Sequence, residues 1–140
     1  MSGGRFALLM GASQFGAGGP EALTARETDV SALRDALLDP TIGGFEPGNV
    51  KNAINGGGDE TESLIMWLCE NRHPDDLLLL YYTGHGLCDH RTNDLYLALQ
   101  GTRTARPQIA SLSAGWVKRE IGLSRSTRKL VILDCCHSGL

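Results

Sequence analysis

A chain of 140 residues with 41% hydrophobic side chains is large enough to bury one core and too short for two. Thirteen basic and sixteen acidic residues leave a net charge of −3 with neither sign in a long block, which argues against nucleic acid or an anionic membrane as partner. Cys69, Cys88, Cys135 and Cys136 lack the spacing of a secreted disulfide framework, and the longest apolar stretches fall far short of a membrane span, so a reduced, cytoplasmic protein is expected.

Taken in chain order, Arg5 to Met10 reads as a first core strand rather than a signal peptide, because Gly11-Ala12-Ser13 leads into a Gly-rich turn and a helix. Gly16 to Pro20 breaks the pattern. Ala22 to Leu38 then takes helical periodicity, with Leu23, Val30, Leu33, Ala36 and Leu37 on its apolar face and Asp39-Pro40 as its stop. Gly43 to Gly48 is a loop, Asn49 to Ile54 a short edge strand, and Gly56-Gly57-Gly58 the turn before a helix initiated by Thr61 and running through Cys69. The all-apolar run from Leu77 to Tyr82 predicts a buried strand that ends in Thr83-Gly84-His85-Gly86. Asp94 to Leu99 alternates too weakly for a core strand and predicts a small surface hairpin, followed by a polar loop from Gln100 to Pro107. Ser113 is the expected cap of a helix through Gly122 with Trp116, Val117 and Ile121 inward. Leu130 to Leu133 predicts a last buried, parallel strand. Strands alternating with helices give a doubly wound α/β fold with a mostly parallel sheet.

Chemistry collects at the end of that last strand. Asp134-Cys135-Cys136-His137-Ser138-Gly139 puts a thiol at a strand's carboxyl end, the edge where open α/β sheets bind ligands, and His85 ends another strand on the same edge. A thiol and an imidazole together suggest a nucleophile with its base. Successive side chains leaving a strand diverge, so only one of Cys135 and Cys136 can face His85. Gly84 and Gly86 are expected to leave the imidazole uncrowded, and Gly139 to allow a tight turn that converges backbone N–H groups.

Tyr82-Thr83-Gly84-His85-Gly86 and Asp134-Cys135-Cys136-His137-Ser138-Gly139 resemble the paired His and Cys motifs of the caspase-like cysteine proteases, in particular the metacaspase branch and bacterial caspase homologues. Their spacing agrees: 51 positions separate His85 and Cys136, against roughly 50 in caspases. The resemblance covers essentially all of residues 1–140 as the large-subunit part of a catalytic domain. It implies a three-layer α/β/α fold, of whose roughly six strands this part supplies the first four. It also implies that Cys136 is the nucleophile and His85 its base, with N–H groups near Gly86 and Cys136 holding the oxyanion. Cys135 falls at a variable position suited to core packing, and His137 is structural. Asp29, Thr83 and Asp134 would line an acidic primary specificity pocket and select Arg or Lys before the cleaved bond; Arg26 lies near where an Asp-reading arginine would be sought. No cofactor is required, although family members often need calcium, for which Asp75-Asp76 is a weak signal. Expected partners are a protein or peptide substrate, a C-terminal small-subunit segment completing the sheet, and a sensor or regulatory domain. Without that segment the final strand would be an apolar edge and the enzyme inactive. A cut after Leu140 would not match a preference for basic residues, so self-processing there is not expected. Bacterial homologues of this kind resemble stress or defence effectors.

Other readings are weaker. His85, Cys88, His90, Cys135, Cys136 and His137 include zinc-ligand types, but only His85 and His90 have a zinc-like spacing. Gly11 to Gly16 lacks the glycine and lysine pattern of a nucleotide loop, and a Cys-phosphatase would need an Arg six positions past its nucleophile. A catalytically silent caspase-like interaction module in a regulatory or defence assembly is the alternative from another class; the intact Cys and His argue against it.

Overall fold

The computed structural model describes residues 3–137, with Cys136 and His137 described by backbone alone. Six strands form one sheet: β1 (Arg5–Gly11), β2 (Val50–Ile54), β3 (Leu77–Asp89), β4 (Asp94–Ala98), β5 (Ser111–Ser113) and β6 (Arg128–His137). Three helices, α1 (Arg26–Leu38), α2 (Gly58–Cys69) and α3 (Ala114–Leu123), cover it. The parallel part runs β2-β1-β3-β6, the four core strands the resemblance implies. β4 and β5 add antiparallel to the far end of β3. Gly86 pairs with His137 on one side and Leu97 on the other, so β4 occupies the β1 side of β3 beyond the end of β1.

Alternation along the strands makes the two cores. Leu8, Met10, Leu78, Leu80 and Tyr82 pack with Ile65 and Leu68 of α2 and Val117 and Ile121 of α3, while Ala7, Leu9, Leu79 and Tyr81 pack with Val30 of α1 on the opposite face. That is the α/β/α arrangement. Each fully buried leucine contributes about 1.5–3 kcal/mol relative to an exposed one, so β1 and β3, apolar on both faces, form the centre of the fold. At the amino-terminal edge buried Asp76 joins the strands: its carboxylate accepts from Gly4 N–H at 2.8 Å and His73 N–H at 2.7 Å, and its carbonyl accepts from Ser126 Oγ at 2.6 Å.

Several elements differ from expectation for local reasons. Helix α1 starts at Arg26 rather than Ala22, because Leu23 N–H donates to Ser13 O at 2.9 Å and Ala25 takes a left-handed φ of 66°. Helix α2 starts three residues before Thr61, whose hydroxyl instead donates to Gly57 O at 2.7 Å, while Asp59 and Glu60 favour the helix's positive end. Ser113 caps α3, accepting from Trp116 N–H at 3.2 Å. Strand β3 does not end at Tyr82 but continues through the His85 motif, because β6 pairs with it as far as Gly86 and β4 from Gly86 to Asp89. The hairpin at residues 94–98 is not confined to the surface, since Leu97 and Ala98 are fully buried beneath α3 and the short β5, which was not anticipated. Finally, β6 is a parallel strand but not a buried one: Leu130, Val131, Ile132 and Leu133 are 39% to 52% exposed, because among the described residues β3 is its sole partner strand.

Candidate active site

The parallel register of β3 and β6 aligns the two motifs residue by residue. Thr83 lies opposite Asp134, Gly84 opposite Cys135, His85 opposite Cys136 and Gly86 opposite His137. Thr83 Oγ1 and Tyr81 Oη each lie 3.4 Å from Asp134 Oδ2, so these three side chains share the α1 face. Positions two residues further on, His85 and Cys136, fall on the same strand parity. Cys135 falls on the other parity and packs against the α2 and α3 core. The side chain of Cys136 and all of Ser138, Gly139 and Leu140, including the turn expected at Gly139, lie outside the described residues.

His85 is only 6% exposed. Its Nε2 lies 2.8 Å from the Glu21 carbonyl oxygen and its ring centroid 5.3 Å from that of Phe15. A carbonyl oxygen only accepts, so this contact requires the proton on Nε2 and leaves Nδ1 as the basic nitrogen of the neutral ring. The loop that supplies Glu21 follows β1 and crosses to β3, at the point where the chain has placed β2 and β3 on opposite sides of β1. Its first residues are held. Ala12 N–H donates to Thr83 O at 2.9 Å, and Asn55 Oδ1 accepts from Ser13 N–H at 2.8 Å and Gln14 N–H at 3.0 Å. Ser13 Oγ donates to Glu27 Oε1 at 2.6 Å, and this bond above all holds the Glu27 carboxyl below its ordinary value.

The glycines beside His85 serve the backbone rather than the ring. A Cβ on Gly84 would lie 2.3 Å from Tyr82 Oη, and one on Gly86 would lie 3.1 Å from Cys135 Sγ. Tyr82 is fully buried, and its hydroxyl lies 2.7 Å from Ala98 O and 3.0 Å from His85 O, which ties the backbone at His85 to β4. Burial raises the Tyr82 phenol far above its ordinary range, so it remains a donor.

The three residues expected to line a specificity pocket gather around a side chain of the protein itself. Arg26, the first residue of α1, places Nη1 at 3.0 Å from Thr83 Oγ1, 3.7 Å from Asp29 Oδ2 and 3.8 Å from Asp134 Oδ2. Asp29, Thr83 and Asp134, drawn from α1, β3 and β6, therefore surround one guanidinium.

A family model described as the caspase domain matches residues 4–140. The chain belongs to the caspase-domain family. Among curated proteins it is 29% identical over 87 residues to Metacaspase-3 of Trypanosoma cruzi (strain CL Brener), a match covering 58% of this chain and 24% of that relative. The chain thus spans about a quarter of the relative's length. These likenesses identify a cysteine-protease family domain with the open α/β sheet described above.

Within this caspase domain, three contributors had little signal in the sequence. Glu21 contributes its carbonyl, which any residue carries; Phe15 falls in a Gly-rich turn, and Tyr82 reads as the end of an apolar run and the head of the His motif rather than as a hydroxyl anchor. The apposition of Asn55 with Ser13 across 42 positions could be found only from the β1–β2 pairing. Among the described residues no group of three or more His, Cys, Asp or Glu side chains could hold a metal ion, and no helix is long and apolar enough to cross a membrane.

Proposed function

We propose that this caspase domain is a cysteine endopeptidase that cleaves after Arg or Lys with a His85–Cys136 dyad. The observation that carries the reading is the register: His85 stands opposite Cys136 two pairs beyond Thr83 and Asp134 and on the same strand parity, so dyad and pocket are adjacent along two paired strands. His85 Nδ1 takes the proton of the Cys136 thiol, and the thiolate adds to the scissile carbonyl. N–H groups of Gly86 and Cys136 receive the oxyanion. The protonated imidazole then gives its proton to the departing amine as the C–N bond breaks, and water, deprotonated by His85, releases the acyl group from sulfur. The Glu21 carbonyl supports both proton transfers by fixing the ring and accepting from Nε2–H. Asp29, Thr83 and Asp134 bind the basic side chain.

The same reading assigns β6 a covering segment. Its exposed edge, with the apolar groove of about 310 Å³ between β6 and α3 lined by Leu97, Val117, Ile121, Val131 and Leu133, suits a small-subunit strand completing the sheet.

The test is turnover of fluorogenic peptides ending in Arg, Lys or Asp by the full-length protein and its Cys136→Ala, Cys135→Ala and His85→Ala variants. Expected is cleavage of the Arg and Lys peptides, lost with Cys136→Ala and His85→Ala and retained with Cys135→Ala. Loss with Cys135→Ala alone, or preference for Asp, contradicts the proposal.

A further inference from the structure

Arg26 occupies the place that the proposed specificity reserves for substrate. The three groups around its guanidinium, Asp29, Thr83 and Asp134, are those assigned to the incoming basic side chain. Arg26 is also held poorly. Its two carboxylate separations, 3.7 and 3.8 Å, exceed the roughly 2.7–2.9 Å of a charge-assisted hydrogen bond. Its Nε is buried with no hydrogen-bond partner among the described residues, an arrangement that costs free energy relative to a fully paired arginine. The Arg26 side chain is 18% exposed, whereas those of Asp29 and Asp134 are 43% and 57% exposed, so a ligand can approach the carboxylates from solvent while Arg26 lies behind them.

We infer that Arg26 is an internal competitor for the primary specificity pocket, which weakens binding of Arg and Lys side chains and thereby sets the selectivity of the site. This rests on the basic-residue specificity proposed above. With Arg26 in place the pocket's two carboxylates are opposed by one fixed positive charge, and a substrate cation must displace that guanidinium or share its partners. Among the described residues the polar partners of Arg26 are Asp29, Thr83 and Asp134, so it acts on the binding of the side chain before the cleaved bond.

The test is steady-state kinetics of the full-length protein and its Arg26→Gln, Arg26→Met and Arg26→Lys variants on peptides ending in Arg, Lys or Asp. Removing the charge is expected to lower KM for the Arg and Lys peptides roughly tenfold, the size expected for relieving two part-exposed ion pairs, with kcat within about twofold because the dyad is untouched. Arg26→Lys, which keeps the charge, should stay near wild type. Wild-type cleavage of basic peptides with no fall in KM in either neutral variant overturns this inference alone. Absence of basic-peptide cleavage in every form, with other peptides turned over, overturns the specificity beneath it. Wild-type cleavage after Asp that Arg26→Gln abolishes makes Arg26 an anion reader and overturns both. Circular-dichroism melts accompany the kinetics. If Arg26→Gln does not fold, Arg26→Met, which keeps the unbranched stem, decides; if neither folds, Arg26 is a structural ion pair and the inference fails.

Discussion

Gly84→Ala is expected to disrupt the backbone that carries His85. The added Cβ would stand 2.3 Å from Tyr82 Oη, 2.7 Å from Tyr82 Cζ and 3.2 Å from the Ala12 carbonyl oxygen. A surface side chain could swing away, but Tyr82 is fully buried and its hydroxyl lies between the Ala98 and His85 carbonyls. Overpacking costs about 1–3 kcal/mol, and pulling the hydroxyl from its acceptors adds about 1–3 kcal/mol. The combined loss is therefore about 2–6 kcal/mol. With a urea m-value of about 1.5–2 kcal/mol/M, the unfolding midpoint should fall by about 2 M. Tyr82→Phe alone should cost about 1–2 kcal/mol, and the double variant should be less damaged than the sum by about 1 kcal/mol or more, because the two changes act at one contact. Urea titrations of the four proteins, followed by circular dichroism, give the cycle. A Gly84→Ala midpoint within about 0.3 M of wild type, or strict additivity, would refute this account of the motif's glycine.

Asp76→Ala removes a buried carboxylate that accepts from two backbone N–H groups and should cost about 2–4 kcal/mol by urea titration. Burial pushes the Asp76 carboxyl up, but the His73 and Gly4 N–H groups and the Arg72 charge outweigh it, so the folded pKa lies below the ordinary 3.8. The stability it contributes is full above that value and is lost as pH falls through the lower folded one, so the difference between wild type and Asp76→Ala should shrink in acid titrations below pH 3.8. Ser13→Ala removes the bond that most lowers the Glu27 carboxyl and one tie on the loop that bears Glu21: the Glu27 carboxyl should titrate nearer its ordinary 4.5 by NMR, and kcat should fall roughly tenfold as the His85 ring loses its fixed orientation. Burial, with Glu120 nearby, pushes the Cys69 thiol up to about 11, so mass-mapped alkylation at pH 8 should leave Cys69 unmodified until the protein unfolds.

What could be read from the sequence follows from which interactions are local. Unbroken apolar runs at Leu77 to Tyr82 and Leu130 to Leu133 mark strands, and Ser113 marks a helix start through its own side chain. The continuation of β3 through Gly84 and Gly86 depends on pairing with the distant β6 and then with β4 from across a turn, so a glycine-flanked histidine reads as a strand end when it is the middle of one. Leu97 and Ala98 show weak alternation because α3, β5 and β3 enclose them on several sides. At the proposed site, the two motifs point to His85, Cys136 and Asp134 because their residue types suit the proposed chemistry. The Glu21 carbonyl has no side-chain signature. Asp29 and Thr83 could be assigned by resemblance, but their closest charged neighbour, Arg26, is set by how α1 begins after the left-handed Ala25.

The most direct test of the central claim is covalent capture. A peptidyl-arginine chloromethyl ketone, whose methylene carbon alkylates a thiolate with loss of chloride, is incubated with the full-length protein and the adduct is mapped by peptide mass spectrometry. The account predicts a single thioether on Cys136, formed faster than with the aspartyl analogue and abolished by His85→Ala. An adduct on Cys135, or faster capture by the aspartyl reagent, would contradict it.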